Sequence, residues 1–254
     1  MDKDPYMLSS VSHALEILDH LSENNEAGVA EISKNLNMGK ASVFRLLYTL
    51  VAKDFVYKTS NSKYRLSTKF VHYGSLVLER QDLLVYAKPF LKSLRDLHNE
   101  TTHCGILDDD NNVIFIDKEL SDSSIQMSSR IGLKMPAYCT GNGKVLLSGL
   151  PDEELEERIS NFTFNRKTDN TITNAYDLRK EIERVRISGF GQDCEECEIG
   201  LVCFAAPIRN IYGSIVASIS ISGPTGRMMQ NRNQLIESVK NTANEISKTM
   251  GHDV

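Results

Sequence analysis

The 254-residue sequence has little of several things, and each shortage removes a class of protein. No apolar run reaches the roughly eighteen residues that a helical bilayer span needs. The opening MDKDPYMLSS lacks a basic stretch followed by an apolar one, so no export signal is read and a cytoplasmic location is expected. Five cysteines are an odd number in a chain long enough to fold without staples, which argues for reduced thiols rather than a secreted disulfide framework. Repeats and low-complexity tracts are absent. So are G-x-S-x-G and HExxH, and the six histidines stand in no triad context. No catalytic residue is assigned, and an enzyme is not expected.

What is present is a globular composition, 41% hydrophobic and 25% charged, enough for one large or two modest cores. The net charge of −5 is unevenly spread. Between Lys40 and Lys69, seven basic residues (Lys40, Arg45, Lys53, Lys58, Lys63, Arg65, Lys69) stand against one acid, Asp54, whereas residues 76–254 carry 20 basic and 26 acidic side chains. One small region suits a polyanion and the rest does not.

That region has a readable fold. Val11, Ala14, Leu15, Leu18 and Leu21 recur at helical spacing behind Ser9 or Ser10 as N-cap. Val29, Ile32 and Leu36 give a second short helix, closed by Asn37-Met38-Gly39. In the third, Val43, Leu46, Leu47, Leu50 and Val51 form the apolar face, leaving Lys40, Ser42, Phe44, Arg45, Tyr48 and Thr49 on or beside the other side. Two short strands, 55–58 and 63–66, follow as a hairpin. The pattern describes a winged helix-turn-helix, in which a helix enters the major groove and the hairpin cations Lys58, Lys63 and Arg65 lie along phosphates. A plain three-helix bundle with a solvated face would mix the signs of its charges, and this face does not.

Beyond a boundary near 75–82 the pattern becomes mixed. Helices are predicted from Ser67 to about 78 and over 82–99 with Pro89 inside, then at 141–149, 152–160, 175–188 and 226–250. Strands are predicted at 102–107, 112–118, 123–128, 199–208 and 213–221. These describe an α+β domain on a largely antiparallel sheet.

Two local motifs invite sharper readings. Cys194 and Cys197 at C-x2-C spacing, with Cys203 beyond, would suit a metal or a redox switch, but no second knuckle follows and the surrounding acids disfavour thiolates. Gly141-Asn142-Gly143-Lys144 has the look of a phosphate loop but not its spacing; a helix N-terminus there would still suit a small carboxylate.

Four phrases together carry a family resemblance: residues 30–50, SSRIGLKMPAYCTGNGKVLLSGL (128–150), GFGQDCEECEIGLVCFAAPIRN (189–210) and ASISISGP (217–224). The chain resembles the IclR-type transcriptional regulators from about Leu8 to Met250. The resemblance implies a winged helix-turn-helix at 1–66, a linker helix at 67–81, and a GAF-like α/β domain at 82–254 that binds an effector and oligomerises. Carried over residue by residue, the family's effector positions land on Met127, Met135, Gly141, Asn142, Asp193, Leu201, Cys203, Ser220 and Ser222. The candidate DNA contacts, read from the exposed side of the third helix and from the hairpin, are Lys40, Ser42, Phe44, Arg45, Tyr48, Lys58 and Lys63. Ile131-Gly132, Tyr138 and the TITNA stretch are most similar to regulators that respond to 2-keto-3-deoxygluconate. The expected partners are a palindromic double-stranded operator, a small carboxylate or sugar-acid effector, and a second copy of the chain in a dimer or tetramer. No metal, cofactor or membrane partner is expected, and the alternative is a metal- or redox-responsive regulator using Cys194, Cys197 and Cys203.

Overall fold

The computed structural model describes residues 6–79, 82–127 and 129–252. The chain divides into two compact units, Met1–Arg80 and Gln81–Val254. Arg80 and Gln81, the end of the expected linker, lie outside the described residues.

In the first unit, α1 (Ser9–Glu23), α2 (Val29–Asn35) and α3 (Lys40–Ala52) precede a hairpin of β1 (Val56–Lys58) and β2 (Tyr64–Leu66), and α4 (Lys69–Glu79) follows. The turn between α2 and α3 is made by Asn37 at φ 51°, a left-handed conformation that Asn tolerates, and by Ser33 Oγ donating to the Met38 carbonyl at 2.6 Å. Ile17, Leu21, Ile32, Val43, Leu47, Leu50, Val56 and Tyr64 make the core. Two expectations for α1 need correcting. Its N-cap is Leu8, with no side-chain cap, and both serines lie inside the helix. Its buried side turns on Ile17 and Leu21, leaving Val11 and Leu15 51% and 55% exposed. Packing against α3 and β2 rotates the helix toward Ile17, a position outside the expected stripe.

Register in the hairpin pairs Val56 with Leu66 and Lys58 with Tyr64, so Val56 and Tyr64 face the core while Tyr57 and Arg65 face outward. Ser67 Oγ accepts the Lys69 N–H at 3.1 Å at the head of α4. Phe55 packs against Phe70 and Tyr73 at 5.6 and 5.9 Å, fastening the start of α4 to the hairpin.

The second unit is built on a six-stranded sheet of order β5-β4-β3-β8-β7-β6, antiparallel throughout. Its strands are β3 (Thr101–Leu107), β4 (Asn112–Glu119), β5 (Lys134–Pro136), β6 (Gly191–Cys194), β7 (Leu201–Arg209) and β8 (Ile215–Pro224). The helices are α5 (Asp82–His98), α6 (Gly141–Ser148), α7 (Asp152–Ser160), α8 (Ala175–Ser188), α9 (Thr225–Gln230) and α10 (Arg232–Thr249). Helices α5 and α10 cover one face of the sheet, and Thr102 Oγ1 donates to the Leu91 carbonyl there at 3.0 Å. The alternate residues face α6, which lies on the other side with α8 behind it. Close approach makes glycine necessary at two points: a Cβ on Gly143 would strike the Ala137 backbone, and one on Gly191 would strike the Gly141 carbonyl.

Three elements differ from expectation. The strand expected at 123–128 is not formed over 123–127, where the bonds run to neighbouring loops and to α9 instead of into a ladder, the Ser123 N–H donating to Ser121 Oγ at 3.0 Å; residue 128 lies outside the described residues. Ser121 Oγ donates to the Asn99 carbonyl at 2.6 Å, and Arg227 donates to the Ile125 carbonyl at 3.1 Å. The strand position beside β4 goes to β5. Strand β6 was not expected, since GQDC lacks the β-branched residues that mark a strand, yet it pairs with β7. The terminal helix expected over 226–250 is two helices, parted at Asn231.

Candidate DNA-binding face and effector pocket

At about 100° per residue, the buried Val43, Leu47 and Leu50 of α3 set Ala41, Arg45 and Tyr48 on the opposite side, with Phe44 and Ser42 flanking them. Lys40, Ser42, Phe44, Arg45 and Tyr48 are all exposed, including two aromatic rings that a soluble helix has no packing reason to present. The N-cap of α3 is Gly39, without a side-chain cap, so the first N–H groups of the helix are left without a side-chain acceptor.

On the hairpin, Lys58 is exposed and lies 5.9 Å above the Tyr64 ring, and Arg65 is stacked 4.3 Å above Tyr57. Lys63 is placed differently from expectation: half-buried, it pairs with Glu26 at 3.3 Å, which takes up part of its charge. Lys69 is likewise engaged within the unit, donating to the Lys53 carbonyl at 2.9 Å and lying over Phe55. Arg65, a hairpin cation outside the expected contact set, is exposed, unlike Lys63.

In the second unit, all nine effector candidates line one enclosed cavity between the N-terminus of α6 and the facing side of the sheet. The strands supply them in rows. Ser222 pairs with Cys203, Cys203 with Asp193, and His103 with Ser220, so these side chains share a face. Thr140 caps α6 by accepting the Gly143 N–H at 3.1 Å, and the preceding residues Gly141 and Asn142, whose N–H groups have no intrahelical acceptor, both line the cavity. Ser220 Oγ is wholly buried and, among the described residues, has the Cys203 thiol as its polar neighbour and no nitrogen or oxygen partner.

The candidates differ in how free they are. Asn142 spends its side-chain amide on Ser218 Oγ at 2.9 Å, so only its backbone is available. Asp193 accepts the N–H groups of Glu196 and Cys197 at 2.7 and 3.4 Å, and burial raises its carboxyl above the ordinary range. It holds a turn more than it reaches for a ligand. Met127, Met135 and Leu201 wall the space. His103, Phe115, Thr140 and Cys197 line it as well and were missed, because a lone His, Phe, Thr or Cys carries no signal before the strands are paired.

Lys144 explains why the glycine-rich segment looked like a phosphate loop and is not one. The side chain, 1% exposed, turns away from the helix N-terminus into a buried network. Its ammonium bonds Glu196, lies 3.6 Å from Glu181, and donates to the Gln192 carbonyl at 2.8 Å. Burial pushes the Glu196 carboxyl up to about 7 against the pull of Lys144.

The cysteine alternative finds no support. Among the described residues no group of three or more His, Cys, Asp or Glu could hold a metal ion. Cys197 is turned toward Cys139, donating to its carbonyl at 3.1 Å, while Cys203 faces Asn142 and Ser220. Burial pushes the Cys203 thiol up to about 12 and raises Cys194, and the contact with Cys139 raises Cys197, so all three are poor thiolates.

Two family profiles match these units, the IclR helix-turn-helix domain over residues 10–60 and the bacterial transcriptional regulator IclR C-terminal domain over residues 75–248. The chain belongs to the IclR family. It is 36% identical over 254 residues to the HTH-type transcriptional regulator KdgR of Escherichia coli (strain K12), covering 99% of this chain and 96% of that one. It is 34% identical over 245 residues to the HTH-type transcriptional repressor AllR of Salmonella typhi, covering 95% and 90%. The crystal structure of the Thermotoga maritima IclR superposes with TM-score 0.80 at 33% identity, over 97% of this chain and 100% of that one. This IclR-family chain is therefore a DNA-binding transcription regulator with an effector-binding C-terminal domain, and it is not an enzyme. No helix among its described residues is long and apolar enough to cross a membrane.

Proposed function

We propose that this regulator works in the cytoplasm, binding as a dimer or tetramer to a palindromic operator beside catabolic genes, and that a small hydroxy- or oxo-carboxylate in the second unit alters that binding. Residues 1–66 read the DNA, 67–81 link the units, and 82–254 take the effector and self-associate. The effector class is a sugar acid such as 2-keto-3-deoxygluconate, in keeping with the similarity to KdgR and to the phrases shared with that subgroup.

The observation that carries this reading is the cavity. It offers two backbone N–H groups at a helix N-terminus, where the dipole favours an anion, opposite the buried hydroxyl of Ser220. Those groups suit a carboxylate at one point and a hydroxyl or keto oxygen at another. On the DNA side, Lys40, Ser42, Phe44, Arg45 and Tyr48 read the major groove, and Lys58 with Arg65 tracks phosphates.

Effector and operator are linked only if the two states of the protein hold the ligand with different free energies, typically about 1–3 kcal/mol of coupling. Titration calorimetry of the full chain with 2-keto-3-deoxygluconate, pyruvate, glyoxylate and an aromatic acid tests the class. Ser220→Ala with Ser222→Ala is expected to weaken the acid that binds, and operator affinity measured with and without it is expected to differ. If none of the four binds, the effector class is wrong. If the serine pair changes nothing for one that does, the pocket is wrong.

A further inference from the structure

The cavity has a second polar end that the effector candidates leave out. His103, on β3, is 1% exposed and places its Nε2 2.6 Å from Ser129 Oγ. Phe115 stacks on the ring at a centroid distance of 4.7 Å. Gly141 lies over Cys203 and Ala205 of β7, and β8 stands between β7 and β3. Two strand spacings therefore separate the α6 end from His103, roughly 10 Å.

We propose that His103, held by its bond to Ser129 behind it, forms a hydroxyl-reading end of the cavity, so that the site selects monocarboxylates with a hydroxylated chain of five or six carbons and discriminates against dicarboxylates. This rests on the effector reading above and adds to it a specificity-determining residue and a chain length. The carboxylate lies at the Gly141 and Asn142 N–H groups and the far hydroxyl reaches the imidazole. A six-carbon chain of roughly 6 Å with a hydrogen bond of roughly 3 Å at each end reaches about 12 Å, enough to bridge the separation; a two- or three-carbon acid falls short of it and leaves His103 untouched.

The chemistry of that end favours a hydroxyl over a second carboxylate. Burial, aided by Lys118 on the neighbouring strand, lowers the His103 pKa to about 3, so the ring is neutral. A neutral imidazole beside a serine offers one donor and one acceptor, the complement of a hydroxyl. A carboxylate only accepts, and burying it without a cation is costly. The ammonium of Lys118, paired with His103 across the strands, is bonded to the Ser129 carbonyl. Facing His103 across the sheet is Ser220, neutral as well.

The test is titration calorimetry of the full chain and of His103→Phe with four acids: 2-keto-3-deoxygluconate, 2-oxohexanoate, 2-oxoadipate and pyruvate. Wild type is expected to prefer the hydroxylated acid to 2-oxohexanoate by about tenfold, the worth of one well-made neutral hydrogen bond, and to bind 2-oxoadipate most weakly of the six-carbon acids. In His103→Phe that preference falls toward one while pyruvate affinity stays where it was. His103→Gln, which keeps a donor and an acceptor, retains a preference and serves where the Phe variant does not fold. Equal affinity of wild type for the two monocarboxylates, tight 2-oxoadipate binding, or an unchanged ratio in both variants overturns the role of His103 alone. No binding by any of the four overturns the effector reading and this assignment together.

Discussion

Replacing Lys144 by Met removes a cation from the most buried charged cluster in the second unit and leaves the shape of the side chain nearly unchanged. Glu181 keeps Arg184, which grips it with two nitrogens at 2.8 Å. Glu196 is orphaned: one oxygen loses Lys144 and the other has no partner among the described residues to begin with. Breaking a buried pair from one side costs about 3–5 kcal/mol, mostly for the charge left behind. For a domain of this size each kcal/mol moves the midpoint by about 2–4 °C, so the expected loss is roughly 6–20 °C in thermal unfolding followed by circular dichroism.

The loss should depend on pH, with a definite sign. Burial already raises the Glu196 carboxyl from its ordinary 4.5 to about 7, and losing Lys144 raises it further. A carboxyl whose folded pKa is raised contributes stability that is complete below its ordinary value and lost as pH rises through the folded one. Lys144→Met should therefore be closer to wild type at pH 5 than at pH 8. Lys144→Met with Glu196→Gln, which removes the stranded charge, should recover most of the loss at both. A drop in midpoint under about 2 °C, or one equal at both pH values, refutes the assignment of a coupled buried pair.

Operator binding measured against salt should separate the wing cations: Lys58→Ala and Arg65→Ala each flatten the log–log slope by about 0.9, and Lys63→Ala flattens it less because Glu26 already holds it. Gly143→Ala should lower the denaturant midpoint by an amount worth about 1–3 kcal/mol, since its methyl group meets the rigid Ala137 backbone. Cys104 and Cys203, whose thiols burial pushes up to about 12, should resist an aromatic disulfide reagent at pH 8 until the chain unfolds, when all five cysteines react.

The DNA-binding unit was legible because its signals are local. Apolar spacing, a turn at Asn37 and a one-sided run of cations all lie within a few residues of where they act. Helix α1 shows the limit of that legibility: Val11 and Leu15 continue a good apolar stripe, but which side of a helix is buried depends on partners that spacing cannot name. In the second unit, nine cavity residues were placed by resemblance, since Met127, Gly141, Asp193 and Ser220 are far apart in the chain and meet only through β-pairing. The strand expected at 123–128 rests on polar–apolar alternation through Ser124, Ile125, Gln126 and Met127, a pattern that names no partner strand, and the place beside β4 is taken by β5. His103 and Glu196 were illegible, since burial and partners, both tertiary properties, give them their character.

The cavity in the second unit measures only about 20 Å³, room for one water molecule. Any organic acid that enters must first displace wall side chains, and the two methionines, Met127 and Met135, are the unbranched ones that can swing without breaking a hydrogen-bonded strand. Speed of response and strength of response are thereby separated. The rate of loading would rise with metabolite concentration and then level off at the rate of opening, while occupancy would continue to follow the equilibrium constant. A brief pulse of metabolite shorter than that opening time would pass unregistered, and a sustained one would not.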